Sequence, residues 1–244
     1  MGIILGCRDK DMVDSLARNV VDLPELRDRI AVFRDRDHGG KILAKMLAEF
    51  AYGDATIMAI PAGGVPVAKV MADRLHLPLG LAVVSKITLP WNTEVGYGAV
   101  AYDGTVRLND NLVARLRLTE EQIQQGIDKT LRKVADRVKK LRDLGSLAGL
   151  SGQQAIVVDD GVASGFTMSV AIEALKKTGI GSLSVAVPTG HENSIERIAG
   201  EVDTLYCANI RSGLSFAVAD AYLKWSDVGE KEVVAIMASR SGTV

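Results

Sequence analysis

Three features predict an α/β fold with a mainly parallel sheet and helices on both faces. Short apolar runs recur along the chain, segments of helical periodicity separate them, and Gly, Pro or Asp stands where one passes into the next. Residues 55–60 form the first clear run, ending at Pro61. Gly63, Gly64 and Pro66 follow, and then Val67, Val70, Met71 and Leu75 at helical spacing, which reads as strand, tight turn and helix. Residues 79–84 are the next buried strand, and residues 154–158 another, closed by Asp159, Asp160 and Gly161. Val170, Ala171, Ala174 and Leu175 mark a helix that stops at Gly179. Residues 183–187 read as a strand ended by Pro188, residues 195–198 as a helix, and residues 204–207 as a further strand. Parallel neighbours joined by crossover helices bind ligands outside the carboxyl ends of the strands.

Two segments depart from this alternation. Asp103-Gly104 lies between two alternating runs in residues 97–109, a hairpin signal. Residues 119–144 form a long helix opened by a Thr119/Gln122 capping box, with Ile123, Ile127, Leu131, Val134, Val138 and Leu141 on one apolar stripe. The rest of that helix is basic, with Lys129, Arg132, Lys133, Arg137, Lys139, Lys140 and Arg142, and reads as a solvated face. A length of 244 residues suits a single domain, with residues 1–35 and 209–244 as appendages to it.

Composition narrows the function. A net charge of −1 leaves no broad basic surface, so nucleic acid is not an expected partner. Cys7 and Cys207 stand far apart, which gives no disulfide framework or zinc pattern and suits a reducing cytoplasm. His38, His76 and His191 lack partners at metal-ligand spacing, and His38 and His191 read as helix-end or loop residues. Arg8, Asp9, Lys10 and Asp11 break the apolar start, and no run of about 18 uncharged apolar residues exists, so no membrane association is expected.

The most informative stretch is residues 156–168. Apolar residues end a buried strand, the carboxylates of Asp159 and Asp160 sit at its carboxyl end, and Ala163, Ser164, Gly165, Phe166 and Thr167 lead into a helix. Small residues let the backbone close on a ligand, and successive N–H groups at a helix N-terminus can hold a phosphate. The attached sugar would then lie toward Asp159 and Asp160, which can accept bonds from its hydroxyls. Neither a G-x-G-x-x-G nor a G-K-[ST] loop occurs.

Residues 157–167 resemble the phosphoribosyl-diphosphate motif of type I phosphoribosyltransferases: apolar strand, two acids, then a small-residue phosphate loop. The resemblance extends over roughly residues 30–235 to one subgroup of that family. Phe33-Arg-Asp-Arg36, residues 61–68, 86–100 and 216–233 each look like a segment of it. It implies a core sheet, a flexible loop near residues 87–110 and a small hood built from the chain ends. It further implies that Asp159 and Asp160 hold ribose hydroxyls, directly or through Mg²⁺-bound water. By the same resemblance the 163–167 loop holds the 5′-phosphate, and Ala62, Gly63 and Gly64 hold diphosphate with Lys86 nearby. Tyr222 and Trp225 would stack on a base, or cover a core edge. The implied activity is Mg²⁺-dependent transfer of a 5-phosphoribosyl group to an unidentified nitrogenous base, in a cytoplasmic homodimer. The subgroup carries arginine where this chain has Ala62, and usually where it has Ser85. Arg34, Arg36 and Arg107 are candidates to replace the missing charge. A non-catalytic binder of a ribose phosphate or nucleotide is therefore the alternative.

Overall fold

The computed structural model describes residues 17–141, 150–213 and 215–239; Cys7, Arg142 and the side chain of Glu94 lie outside what is described. Period-two packing accounts for the main sheet. In β2 (Thr56–Ala59), Ile57 and Ala59 face one apolar cluster while Met58 and the following Ile60 face the other. In β7 (Gln154–Val158), Ile156 and Val158 face the first cluster, and Ala155 and Val157 the second. A strand covered on both sides must be apolar throughout, which is why these runs show no polar alternation.

Six parallel strands lie in the order β1-β9-β8-β7-β2-β3, where β1 is Val20–Asp22, β3 Leu79–Leu81, β8 Ser182–His191 and β9 Thr204–Arg211. One face is covered by α1 (Arg36–Met46), α2 (Gly64–Leu75) and the long helix described below, the other by α5 (Phe166–Lys176) and α6 (Glu192–Ala199). The predicted fold class is the observed one.

Three local readings are corrected. The run 79–84 is not one strand: β3 stops at Leu81, and β4 (Val84–Leu89) belongs to a separate antiparallel sheet with β5 (Asn92–Ala101) and β6 (Val106–Leu108). That sheet occupies the expected loop region, and the Asp103-Gly104 turn closes its hairpin: Thr105 N–H donates to Asp103 Oδ1 at 2.9 Å and Gly104 has φ +86°. Pro188 does not end a strand. β8 continues to His191, with the register against β9 passing from Val187↔Cys207 to Thr189↔Asn209; the missing pair is at the proline, which has no N–H to donate. Last, α1, α3 (Asp110–Leu116) and α7 (Glu230–Ala238) have no counterpart in the periodicity reading.

α4 (Glu120–Leu141) starts on the predicted capping box: Gln122 N–H donates to Thr119 Oγ1 at 3.2 Å, and Thr119 N–H to Gln122 Oε1 at 2.9 Å. The chain ends meet beside the sheet. Phe33 bridges Tyr222 in parallel, with Phe33 N–H on the Ala221 carbonyl at 2.9 Å and Leu223 N–H on the Phe33 carbonyl at 2.8 Å. Neither expected appendage stands wholly apart, since β1 is an edge strand of the main sheet and residues 209–211 finish β9.

Candidate active site

Asp159 and Asp160 follow the last residue of β7, at the carboxyl edge of the sheet, where α5 begins after one further turn. Their environments differ. Burial and the adjacent Asp160 push the Asp159 carboxyl well above the usual carboxylate range, with Lys86 pulling the other way. Asp159 Oδ1 accepts the Asp160 backbone N–H at 2.9 Å. Burial also raises Asp160, but Arg36 opposes it: Arg36 Nε donates to Asp160 Oδ2 at 2.9 Å. The adjacent carboxyls are therefore inequivalent: Arg36 pairs with Asp160, while burial disfavours charge on Asp159 more strongly.

Arg36 ties the acids to the chain-end segment. Its Nη1 donates to the Ser226 carbonyl at 2.8 Å, and its guanidinium lies 3.9 Å from the centroid of the Trp225 ring. Tyr222 is buried; its hydroxyl donates to the Asp160 carbonyl at 2.6 Å, and its ring packs on Phe33 and Trp225. The second of the two sequence readings holds for Tyr222, which supports the acidic corner from behind and presents no ring face for stacking. Trp225 is 40% exposed and lines the cavity. His191 and His38 lie at the N-terminal ends of α6 and α1, as expected.

The 163–167 loop is held by its carbonyls. Ser194 Oγ donates to the Ala163 carbonyl at 2.6 Å, and Arg197 Nη2 donates to that of Ser164, both from α6. Among the described residues no acceptor engages the N–H groups of Ala163, Ser164, Gly165, Phe166 or Thr167. Fixing the carbonyls on one side turns the N–H groups to the other, at the start of α5, where the helix dipole also favours an anion. Gly165 has φ +72°, and a Cβ there would lie 2.7 Å from the Arg197 guanidinium. Ala163, Ser164, Gly165 and Thr167 line a cavity of about 230 Å³ with Asp159, Asp160, Lys86, Val218 and Trp225.

A second cavity, of about 410 Å³, adjoins the first and shares Lys86, Asp159, Asp160, Thr167 and Trp225 with it. Its floor is the loop at Pro61, Ala62 and Gly63. Gly63 is required there: an added Cβ would stand 2.0 Å from Asp160 Oδ2. An added Cβ on Gly64 would stand 2.6 Å from the Val158 carbonyl oxygen, so this glycine lets the two loops lie against each other. Ser85 also lines this cavity, and its buried Oγ has no hydrogen-bond partner. Of the three arginines considered as replacements, only Arg36 reaches it. Arg107 is held on Glu173 at 2.6 Å and near Glu201 at 3.6 Å, and Arg34 is exposed outside both cavities.

Sequence reasoning missed Ser194 and Arg197, which act from a helix some 30 residues away. It also assigned Lys133 and Arg137 of α4 to a solvated face, whereas both line the second cavity. No group of three or more His, Cys, Asp or Glu side chains that could hold a metal occurs among the described residues. Nor, among them, is any helix long and apolar enough to cross a membrane.

Comparison with known proteins agrees with this geometry. Two proteins from different strains of Mycobacterium tuberculosis, both provisionally named phosphoribosyl transferases, are 32% identical to this chain over 206 residues. The match covers 84% of this chain and 46% of each relative, so the chain spans about half the length of these curated relatives. The crystal structure of a Thermus thermophilus protein superposes with a TM-score of 0.65 at 29% identity, covering 84% of this chain and 97% of that one. The phosphoribosyl transferase domain family matches residues 35–220, a span that holds Arg36, both glycine-containing loops and the acidic pair. The chain belongs to the phosphoribosyl transferase domain family.

Proposed function

We propose that this protein is a phosphoribosyltransferase that moves a 5-phosphoribosyl group from phosphoribosyl diphosphate to a nitrogenous base and releases diphosphate. One observation carries the reading: a carboxyl pair at the end of β7 faces the same cavity as a loop whose N–H groups have no internal partner. The loop would bind the 5′-phosphate, and Asp160 would accept hydrogen bonds from the ribose hydroxyls. Asp159 lines the same cavity beside it. Fixing the sugar at both ends holds C1 against the approaching base, so positioning and electrostatics supply most of the rate. Lys86 lies where charge would build on the departing diphosphate.

Two adjacent carboxyls lining the cavity suit the usual Mg²⁺ pattern of few protein ligands plus substrate oxygens. Asp159 and Asp160 would hold such an ion, and its chemistry would be charge neutralisation of the leaving diphosphate. Residue 163 is alanine, and Ser164 and Thr167 are hydroxyls, so the loop offers no base for the acceptor's proton. Acceptors that are already acidic, or that need no protein base, are accordingly favoured over 6-oxopurines.

The second reading, a binder that performs no transfer, is favoured by the small side chains of Ala62 and Ser85 at the diphosphate end. The deciding assay is diphosphate release from phosphoribosyl diphosphate with hypoxanthine, guanine, adenine, uracil and orotate in parallel. Turnover with any base supports transfer, and efficient turnover of hypoxanthine or guanine refutes the acceptor argument. Tight binding of phosphoribosyl diphosphate with no release selects the binder.

A further inference from the structure

We infer that Lys133 and Arg137 of α4 form the diphosphate-binding wall of this site, in place of the side-chain cations absent at Ala62 and Ser85; the inference rests on the reading of the cavity as a phosphoribosyl diphosphate site. The two residues are one helical turn apart and share a face of α4. That face flanks the buried stripe of Thr130, Val134 and Leu141 and is directed at the cavity over Pro61, Ala62 and Gly63. Arg137 Nη1 reaches the Pro61 carbonyl at 3.5 Å, which places its guanidinium against the loop itself. Lys86 enters the same cavity from β4, so cations stand on two walls of it.

The cations of this cavity are left largely free for an anion. Of the acids lining it, Asp160 is matched by Arg36. Lys86 and Lys133 make no salt bridge with any described residue. Among the described residues the one acidic partner of Arg137 is Glu230, at 3.6 Å, and Glu230 has a closer partner in Lys140 at 2.8 Å. Ser85 adds an independent sign: a buried hydroxyl with no internal partner lines this cavity, and a bound phosphate oxygen would satisfy it.

The test is calorimetric titration of the full chain with two separate probes, inorganic diphosphate and ribose 5-phosphate. Lys133→Gln and Arg137→Gln should each weaken diphosphate binding about tenfold, and the double variant about a hundredfold, with ribose 5-phosphate affinity unchanged. Lys139→Gln removes the same charge from the same helix outside the cavity and should change neither. Glu230→Gln releases Arg137 and should tighten diphosphate several-fold, a gain that damaged folding cannot produce. Unchanged diphosphate affinity in the double variant overturns the inference. If, in addition, the paired Asp159→Asn and Asp160→Asn substitutions abolish ribose 5-phosphate binding, the ribose site stands without it. A wild-type protein that binds neither probe overturns both.

Discussion

Arg36→Met is expected to be among the costliest single changes near the site, for reasons independent of catalysis. The Arg36 and Asp160 side chains are 10% and 14% exposed. Removing one member of a buried pair leaves the other charge desolvated and unpaired, which costs about 3–5 kcal/mol. With slight exposure, and with the Ser226 bond lost as well, about 3 kcal/mol is the working value. For a chain of this length that corresponds to a drop in Tm of roughly 6–12 °C. The pH dependence follows from sign. Asp160 is already raised by burial from its ordinary 3.8, and Arg36 is what restrains it. Without Arg36 its folded pKa rises further, so the variant's stability falls as pH climbs above the unfolded value toward the folded one. The deficit should therefore be largest above neutrality and should shrink as pH falls toward and below the unfolded value of 3.8, where both states take up the proton. Asp160→Asn added to Arg36→Met should recover most of it, because a neutral amide needs no counter-ion. The assay is urea denaturation of wild type, both single variants and the double at several pH values. A deficit for Arg36→Met below about 1 kcal/mol at neutral pH, or no recovery in the double variant, would refute the argument.

Three further outcomes are expected. Asp159→Asn should raise Tm by about 2–6 °C near pH 7.5 and not near pH 4, since the amide keeps the bond to the Asp160 N–H without the desolvated charge; melting curves at both pH values check this. Gly165→Ala should cost about 1–2 kcal/mol because φ is +72°, and should weaken ribose 5-phosphate binding in the same titration by displacing Arg197 from the loop. Thr119→Ala should cost about 1 kcal/mol in chemical denaturation, through loss of the first-turn cap of α4, with phosphate binding unaffected.

The sheet was legible because burial on both faces writes itself as uninterrupted apolar runs. The acidic pair was legible because carboxylates at a strand's carboxyl end are conspicuous. What failed did so for identifiable reasons. Residues 79–84 have one unbroken apolar composition, yet the chain leaves one sheet and enters another inside it, and nothing local marks the step. Pro188 is a sound stop signal that tertiary pairing on either side overrides. The basic residues of α4 are alike in type and spacing. Only the position of the helix over the 61–63 loop separates Lys133 and Arg137 from Arg132 or Lys139.

The 163–167 loop shows why the small-residue signature was informative yet incomplete. A row of small residues allows many backbone conformations, and most of them point successive N–H groups in different directions. An anion site needs one conformation, in which the N–H groups converge. Here the conformation is fixed from α6: Ser194 and Arg197 take the carbonyls of Ala163 and Ser164, and a peptide plane with its carbonyl fixed has its N–H direction fixed as well. Gly165 admits the left-handed turn that lets α5 begin directly behind the loop. Sequence supplied the flexible half of this device, residues 163–167. The rigid half sits on the next crossover helix, where a serine and an arginine amid ordinary helical spacing carry no signal of their own. Their role becomes visible only when β8 returns α6 to the side of the loop, where Val162 bridges Gly190.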